Sequence, residues 1–260
     1  MSMDIEGNVL GSLPKLQSVK RQKVNDVKRP FLKLKFAEVP NNYNEMTLVM
    51  KGNYSVVFRA YNDGLAYRFV TSLKGEVKVN HEDITVFFPQ DAQLVLQQSD
   101  RYRTSYEERY SFVKSSEWLS FQKMAHYPVL AITSGGTKIL MSESDLCDYP
   151  APFFRSNDAN GFSSVFPRVP AVEKPRSDKS NDVLLRHPYI AKPQGTRSFP
   201  WRYFVIAKDE AALVTNTMTC RLAQDSKLQD VSWIVPGQAS WEWWNGAVPY
   251  GPDVNFKAGL

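Results

Sequence analysis

Phe58-Arg-Ala-Tyr-Asn-Asp-Gly-Leu-Ala-Tyr-Arg-Phe69 is the stretch that decides the fold class. Two runs of aromatic and small apolar residues flank Asp63-Gly64. That dipeptide between such runs is the strongest short-range hairpin signal, because both residues reach the backbone angles of a tight turn. A two-residue turn there pairs Asn62 with Leu65 and sets Arg59 directly opposite Arg68. Like charges facing each other destabilise a ladder. This register therefore predicts an acidic partner near both arginines, a longer loop that shifts them apart, or two arginines on a solvent face.

Strand-like runs continue on both sides. Residues 31–36 alternate apolar and basic positions, and residues 46–50 and 54–60 are rich in Val, Leu and aromatics. Further runs fall at residues 76–80, 83–88 and 118–123. Residues 128–134 and 137–143 flank Gly135-Gly136, a second two-residue hairpin signal. Counting out from it sets Thr133 opposite Lys138 and Ala131 opposite Leu140, with Glu143 at the far end of the returning strand. Residues 145–172 read as loop with one short strand, and 175–181 as a polar excursion. Strands resume at 183–191 and 201–207. Residues 209–224 are the one helix expected. Asp209 is placed to cap it and Ala211, Ala212, Leu213 and Met218 to pack one side, against the β-branched Thr215, Thr217 and Thr219. Many short strands with hardly any helix predict an all-β chain built as a β-sandwich.

Composition agrees with a folded domain. Of 260 residues, 43% are hydrophobic and 23% charged, which is ordinary for a globular protein. Fifteen Phe, twelve Tyr and six Trp favour pleated surfaces, where rings serve core packing or stack on sugar faces. Lys15, Lys20, Arg21, Lys23, Lys28 and Arg29 crowd the start of a chain of net charge +5. No nucleic-acid motif or basic helix face accompanies them, so residues 1–29 read as a flexible basic leader and nucleic acid is not an expected partner. No apolar run reaches the ~18 residues of a membrane span, and no signal peptide is visible. Cys147 and Cys220 do not make a disulfide framework, and neither shows metal-ligand spacing with His81, His126 or His187. The domain is expected over residues 30–225. Residues 226–260, with clustered tryptophans at 241, 243 and 244, read as a linker and the first strand of a further domain, or as a tail folded back on the sandwich.

Chemistry has few candidates. The densest acidic run is Glu143-Ser-Asp-Leu-Cys-Asp148. It lacks the spacing of a self-sufficient calcium loop, so it offers a hard cation some ligands but not all, or else its carboxylates cap a turn. Tyr106-Glu-Glu-Arg-Tyr110 is a second candidate, or a solvated face. No Gly-x-Ser-x-Gly elbow occurs, and no catalytic set emerges from the residues alone.

Five phrases, in order, resemble glycoside hydrolase family 97. They are Phe58 to Phe69 as quoted; Tyr106-Glu107 with Tyr110; Ser142-Glu-Ser-Asp-Leu-Cys-Asp-Tyr-Pro150; Pro200-Trp-Arg202; and Ser232-Trp-Ile-Val-Pro-Gly237 leading to Trp241-Glu-Trp-Trp-Asn245. The resemblance implies an amino-terminal β-super-sandwich followed by a catalytic (β/α)8 barrel, acting on α-glucosides or α-galactosides in the periplasm. It places residues 232–260 at the barrel's first strand, and the general acid and base or nucleophile on later barrel segments. It also implies a sandwich glutamate that helps hold calcium beside the catalytic carboxylates, and Glu143 stands at that position. Val235, Gln238 and Glu242 depart from the family's SWIKPGK and WDWWN patterns. The expectation is a domain that completes the substrate and metal site of an α-glycoside hydrolase and is inactive alone, its partners an α-linked carbohydrate and the missing barrel. The alternatives are a stand-alone carbohydrate-binding module using Trp241, Trp243 and Trp244, and a structural β domain without ligand.

Overall fold

The computed structural model describes residues 1–30, 35–177 and 180–238. Its opening strands are β1 (Ser2–Ile5), β2 (Asn8–Leu10), β3 (Leu16–Val24), β4 (Val27–Lys28) and β5 (Val39–Pro40). The central run follows with β6 (Tyr43–Met50), β7 (Tyr54–Tyr61), β8 (Gly64–Glu76), β9 (Val79–Asp83) and β10 (Thr85–Phe87). Then come β11 (Gln93–Ser99), β12 (Tyr110–Lys114), β13 (Met124–Ile132), β14 (Lys138–Ser144), β15 (Phe153–Ser156) and β16 (Gly161–Val165). The last elements are β17 (Pro170–Pro175), β18 (Asn181–Arg186), β19 (Gln194–Ser198), β20 (Trp201–Ala207), α1 (Glu210–Val214) and α2 (Met218–Leu222).

A large sheet runs β10-β16-β15-β13-β14-β20-β8-β7-β6-β3, with β11, β12 and β19 branching from it. A small sheet, β2-β1-β9, packs on one face. Alternation along each strand explains the two cores. Tyr54, Val56, Tyr67, Phe69 and Met141 point inward to meet Met3, Ile5 and Val79 of the small sheet. Val57, Tyr61, Ala66, Trp201, Tyr203 and Val205 point the other way and are covered by Met218 and Leu222 of α2. The expected all-β sandwich is present.

Both hairpins differ in register from the sequence reading. At the first, Tyr61 pairs with Gly64, so Arg59 faces Ala66 and Arg68 faces Val57. The turn residues are Asn62 and Asp63. Gly64 is needed elsewhere: a Cβ there would sit 2.2 Å from the Phe204 carbonyl oxygen, so its bareness lets β20 approach β8. At the second, Ile132 pairs with Lys138 and Ala131 with Ile139, one residue away from the two-residue count. Thr133 N–H donates to the Thr137 carbonyl over 2.9 Å, and Gly136 sits at φ +80°. That is a three-residue loop closed by a left-handed glycine.

Other expectations are corrected. Residues 1–29 are not a flexible leader. They hold four strands, and β3 pairs with β6 from Leu16 to Val24. Its basic side chains are compatible with this because β3 is the edge of the sheet, where charge discourages pairing with another chain. Residues 118–123 are not a strand but curl around Trp118, 1% exposed, whose Nε1 donates to the Lys123 carbonyl. Residues 145–172 contain β15, β16 and the start of β17, not one short strand. The single helix is two. Asp209 caps α1 through the Ala212 N–H at 2.9 Å, and the Thr215 hydroxyl then bonds back to the Ala211 carbonyl and ends it. Cys147 and Cys220 are both free. The strand read across 31–36 lies mostly outside the described residues, as do positions 239–260; residues 226–238 contain no strand.

Candidate functional site

Successive residues of a strand face opposite ways, and Trp201 and Arg202 open β20. Arg202 takes the inner face. Its neighbours across the sheet are Glu143 on β14 and Tyr67 on β8. Glu82, from β9 of the small sheet, meets the guanidinium side-on: Nε donates to Oε1 over 3.0 Å and Nη2 to Oε2 over 2.7 Å. Nη1 donates to Oε2 of Glu143. The planar fork of arginine suits this two-sided grip. The Arg202 side chain is 0% exposed, Glu82 3% and Glu143 11%, so the cluster reaches the surface only at Glu143.

The electrostatics follow from two carboxylates sharing one cation. Burial pushes the Glu143 carboxyl up to about 7; Arg202 pulls it down and the Glu82 charge pushes it up again. Burial acts to lower Arg202, but Glu82 and then Glu143 hold it well above its ordinary range. Burial also raises the phenols of Tyr127 and Tyr149, which therefore stay neutral. With all three charged groups ionised, the cluster carries one uncompensated negative charge. A cation at the Glu143 rim would balance it.

The second acidic phrase lies alongside. Tyr106 stands edge-on to His126 with centroids 4.6 Å apart, and its hydroxyl is raised by burial and then by the Glu143 charge. Gln97 Nε2 holds this loop through the Glu108 carbonyl at 2.7 Å, while Glu107, Glu108 and Arg109 are exposed. The run Glu143-Ser-Asp-Leu-Cys-Asp148 does not converge. Asp145 faces Arg68 at 3.8 Å and accepts from the Gln224 N–H, whereas Asp148 faces Arg197 at 3.8 Å. Among the described residues no three His, Cys, Asp or Glu side chains are grouped to hold a metal. Trp241, Trp243 and Trp244 lie outside the described residues.

On the outer face Trp201 receives the guanidiniums of Arg59 and Arg68, 4.6 and 4.2 Å from its ring centroid. Glu45 pairs with Arg59 at 2.8 Å. Each hairpin arginine has an acidic partner, Glu45 for Arg59 and Asp145 for Arg68, although the register from which such partners were one of three expected outcomes does not form. Sequence reasoning missed Glu82 and the role of Arg202. The Pro200-Trp-Arg202 phrase was a signal for Arg202; nothing local marked Glu82.

The fold is an antiparallel β-sandwich, and its buried Glu–Arg–Glu cluster opens to the surface at a single carboxylate. The sequence profile described as Glycosyl-hydrolase 97 N-terminal matches residues 1–224, and the chain belongs to that family. It is 32% identical over 258 residues to a retaining alpha-galactosidase of Bacteroides thetaiotaomicron, covering 94% of this chain and 38% of that protein. A probable retaining alpha-galactosidase of Streptomyces bingchenggensis is 28% identical over 206 residues, covering 79% of this chain and 28% of that one. The chain therefore spans well under half the length of these curated relatives. A glycoside hydrolase family 97 enzyme from Pseudoalteromonas sp. strain K8, solved in complex with acarbose, superposes with a TM-score of 0.71 at 20% identity, over 91% of this chain and 34% of that one.

Proposed function

We propose that this chain is the amino-terminal, substrate- and metal-site-completing domain of an α-glycoside hydrolase. The names of its curated relatives favour α-galactosides over α-glucosides. The observation that carries the reading is Glu143, a largely buried carboxylate at the rim, held through one oxygen by a guanidinium that Glu82 already grips.

Calcium takes six to eight oxygens, and Glu143 supplies at most two. The residues fit a shared site: the cluster lacks one positive charge, and the remaining ligands belong to a barrel outside this chain. When bound, the ion supplies electrostatic stabilisation and polarises the attacking water. Glu143 binds, Arg202 and Glu82 orient it, and Tyr106 walls the rim. The general acid and the base or nucleophile belong to the barrel, so the chain alone is inactive. The periplasm is the proposed location; no helix among the described residues is long and apolar enough to cross a membrane.

The chain alone, with or without calcium, is expected to give no turnover of p-nitrophenyl α-galactoside or α-glucoside, and clear turnover refutes the reading. In the protein carrying its barrel, Glu143→Gln raises the calcium needed for half-maximal activity roughly tenfold or more, as loss of a ligand should cost at least what loss of its supporting partner does. An unchanged calcium requirement counts against it.

A further inference from the structure

Two adjoining clefts of about 700 and 390 Å³ share Tyr102, Arg103, Asn181, Val183 and Arg186 as a wall. Their lining is strongly cationic: Arg101, Arg103, Arg155, Arg168, Arg186 and Lys192 stand against Asp100, Asp148 and Asp182. Two of those acids are engaged, Asp182 by Arg103 and Arg176, and Asp148 by Arg197. Arg155, Arg168 and Arg186 have no carboxylate within 4.0 Å among the described residues. Two of them are held by backbone instead. Arg155 Nη1 donates to the Ser120 and Gln122 carbonyls at 3.3 and 3.1 Å, and Arg186 Nη1 donates to the Arg168 carbonyl. Carbonyls fix a guanidinium in place without neutralising it, so its charge stays available.

Three elements bring these groups together. Arg155 lies on β15, Arg168 precedes β17, and Arg186 ends β18, which pairs with β17 as a separate ribbon. Tyr102 stands edge-on to the buried Phe153 ring, centroids 5.1 Å apart, and the charges of Arg155, Arg186 and Arg168 all bear on its hydroxyl. Tyr106 lies on the same Phe153 ring at 6.4 Å, and the Glu143 charge reaches Tyr106. The buried Phe153 ring therefore packs against both Tyr102 of the cleft and Tyr106 beside Glu143.

We propose that this cleft is a subsite for an anionic substituent on a saccharide, a carboxylate or a sulfate ester, with Arg168 and Arg186 as its principal donors and the Tyr102 hydroxyl as a third contact. The anion follows from the arginines: guanidiniums match such oxygen groups with two parallel hydrogen bonds. The saccharide rests on the glycoside hydrolase reading above. The shallow wall of Tyr102, Tyr149, Pro150, Pro167 and Pro170 suits a sugar ring. Glycosides carrying such a substituent are then favoured over their plain neutral counterparts.

The 260-residue chain is titrated calorimetrically at low salt with a trigalacturonate, a carrageenan tetrasaccharide whose only acidic groups are sulfate esters, raffinose, sodium sulfate and a polyglutamate peptide. At least one acidic saccharide is expected to bind tenfold or more tightly than raffinose, and to lose affinity as salt rises. Which of the two binds separates carboxylate from sulfate ester. Arg168→Gln with Arg186→Gln weakens that binding at least tenfold with an unchanged melting midpoint. Should the midpoint fall, Tyr102→Phe is the substitute, with about threefold weakening expected. The proposal is overturned if acidic and neutral sugars bind alike or if the variants bind as the wild type does. It is also overturned if sodium sulfate or polyglutamate matches the acidic saccharide. If acidic sugars fail to bind while Glu143→Gln still shifts the calcium requirement of the barrel-bearing protein, this proposal falls alone; the reverse pattern removes only the metal reading.

Discussion

Arg202→Met removes the cation that two carboxylates share while keeping a long, space-filling side chain. The variant loses the paired bonds to Glu82 at 3.0 and 2.7 Å and the bond to Glu143. Glu82, 3% exposed, then has neither a cationic partner nor water. Breaking a buried pair from one side typically costs about 3–5 kcal/mol, because the surviving charge must be desolvated without compensation. For a domain of this size each kcal/mol lowers the melting midpoint by roughly 2–4 °C, so the expected fall is roughly 6–20 °C at pH 8. Glu82→Met combined with Arg202→Met removes both partners and leaves an apolar pair. That double variant should recover at least half of the loss, since apolar replacement of a whole buried pair is often neutral or better. Calorimetric melts and urea titrations of the three chains decide the matter. A single variant within about 1 kcal/mol of the wild type refutes the argument, as does a double variant no more stable than the single one.

Three further perturbations follow from the same geometry. Glu143 is raised from 4.5 to about 7, so the folded chain holds its proton more tightly than the unfolded one. The associated stability is complete below about pH 4.5 and lost as pH rises through about 7. Glu143→Gln should thus gain on the wild type across that window by up to roughly 3 kcal/mol, and a flat difference in urea midpoints refutes this. Gly64→Ala places a methyl against the Phe204 carbonyl, prising β8 from β20 at a cost of about 1–3 kcal/mol; an unchanged melting midpoint would show that the strands can yield. Trp201→Ala strips the ring between Arg59 and Arg68 and should cost about 3–5 kcal/mol in denaturant unfolding.

What the sequence disclosed was local. Alternation and turn dipeptides identified β6, β7, β14 and β20 and marked the two hairpins, because those signals span a few residues. Register was not legible at Asp63-Gly64. The glycine answers to a strand that arrives some 140 positions later, and Asp63 is claimed by Arg221 of α2 at 2.6 Å. The basic start of the chain concealed β3 because edge strands tolerate charge, and composition alone cannot distinguish such an edge from a solvated tail. Glu143 was singled out from its phrase, and Arg202 stood within another. Glu82 carried no local mark, since its significance comes from a pairing across 120 positions between separate sheets. The cationic cleft was equally hidden: its arginines are spread from β15 to β18 and meet only when the ribbon folds over Tyr102.

The adjacency of Trp201 and Arg202 has a consequence for how β20 finds its place. A slip of one residue would turn the guanidinium of Arg202 toward Arg59 and Arg68, and the indole of Trp201 toward Glu82 and Glu143. Both outcomes are repelled, one by like charge and the other by an apolar ring set against buried carboxylates. The dipeptide thus acts as a two-sided key that turns in only one position. Because β20 joins β14 to β8 in the middle of the large sheet, that check on a single peptide unit aligns the strands on either side of it.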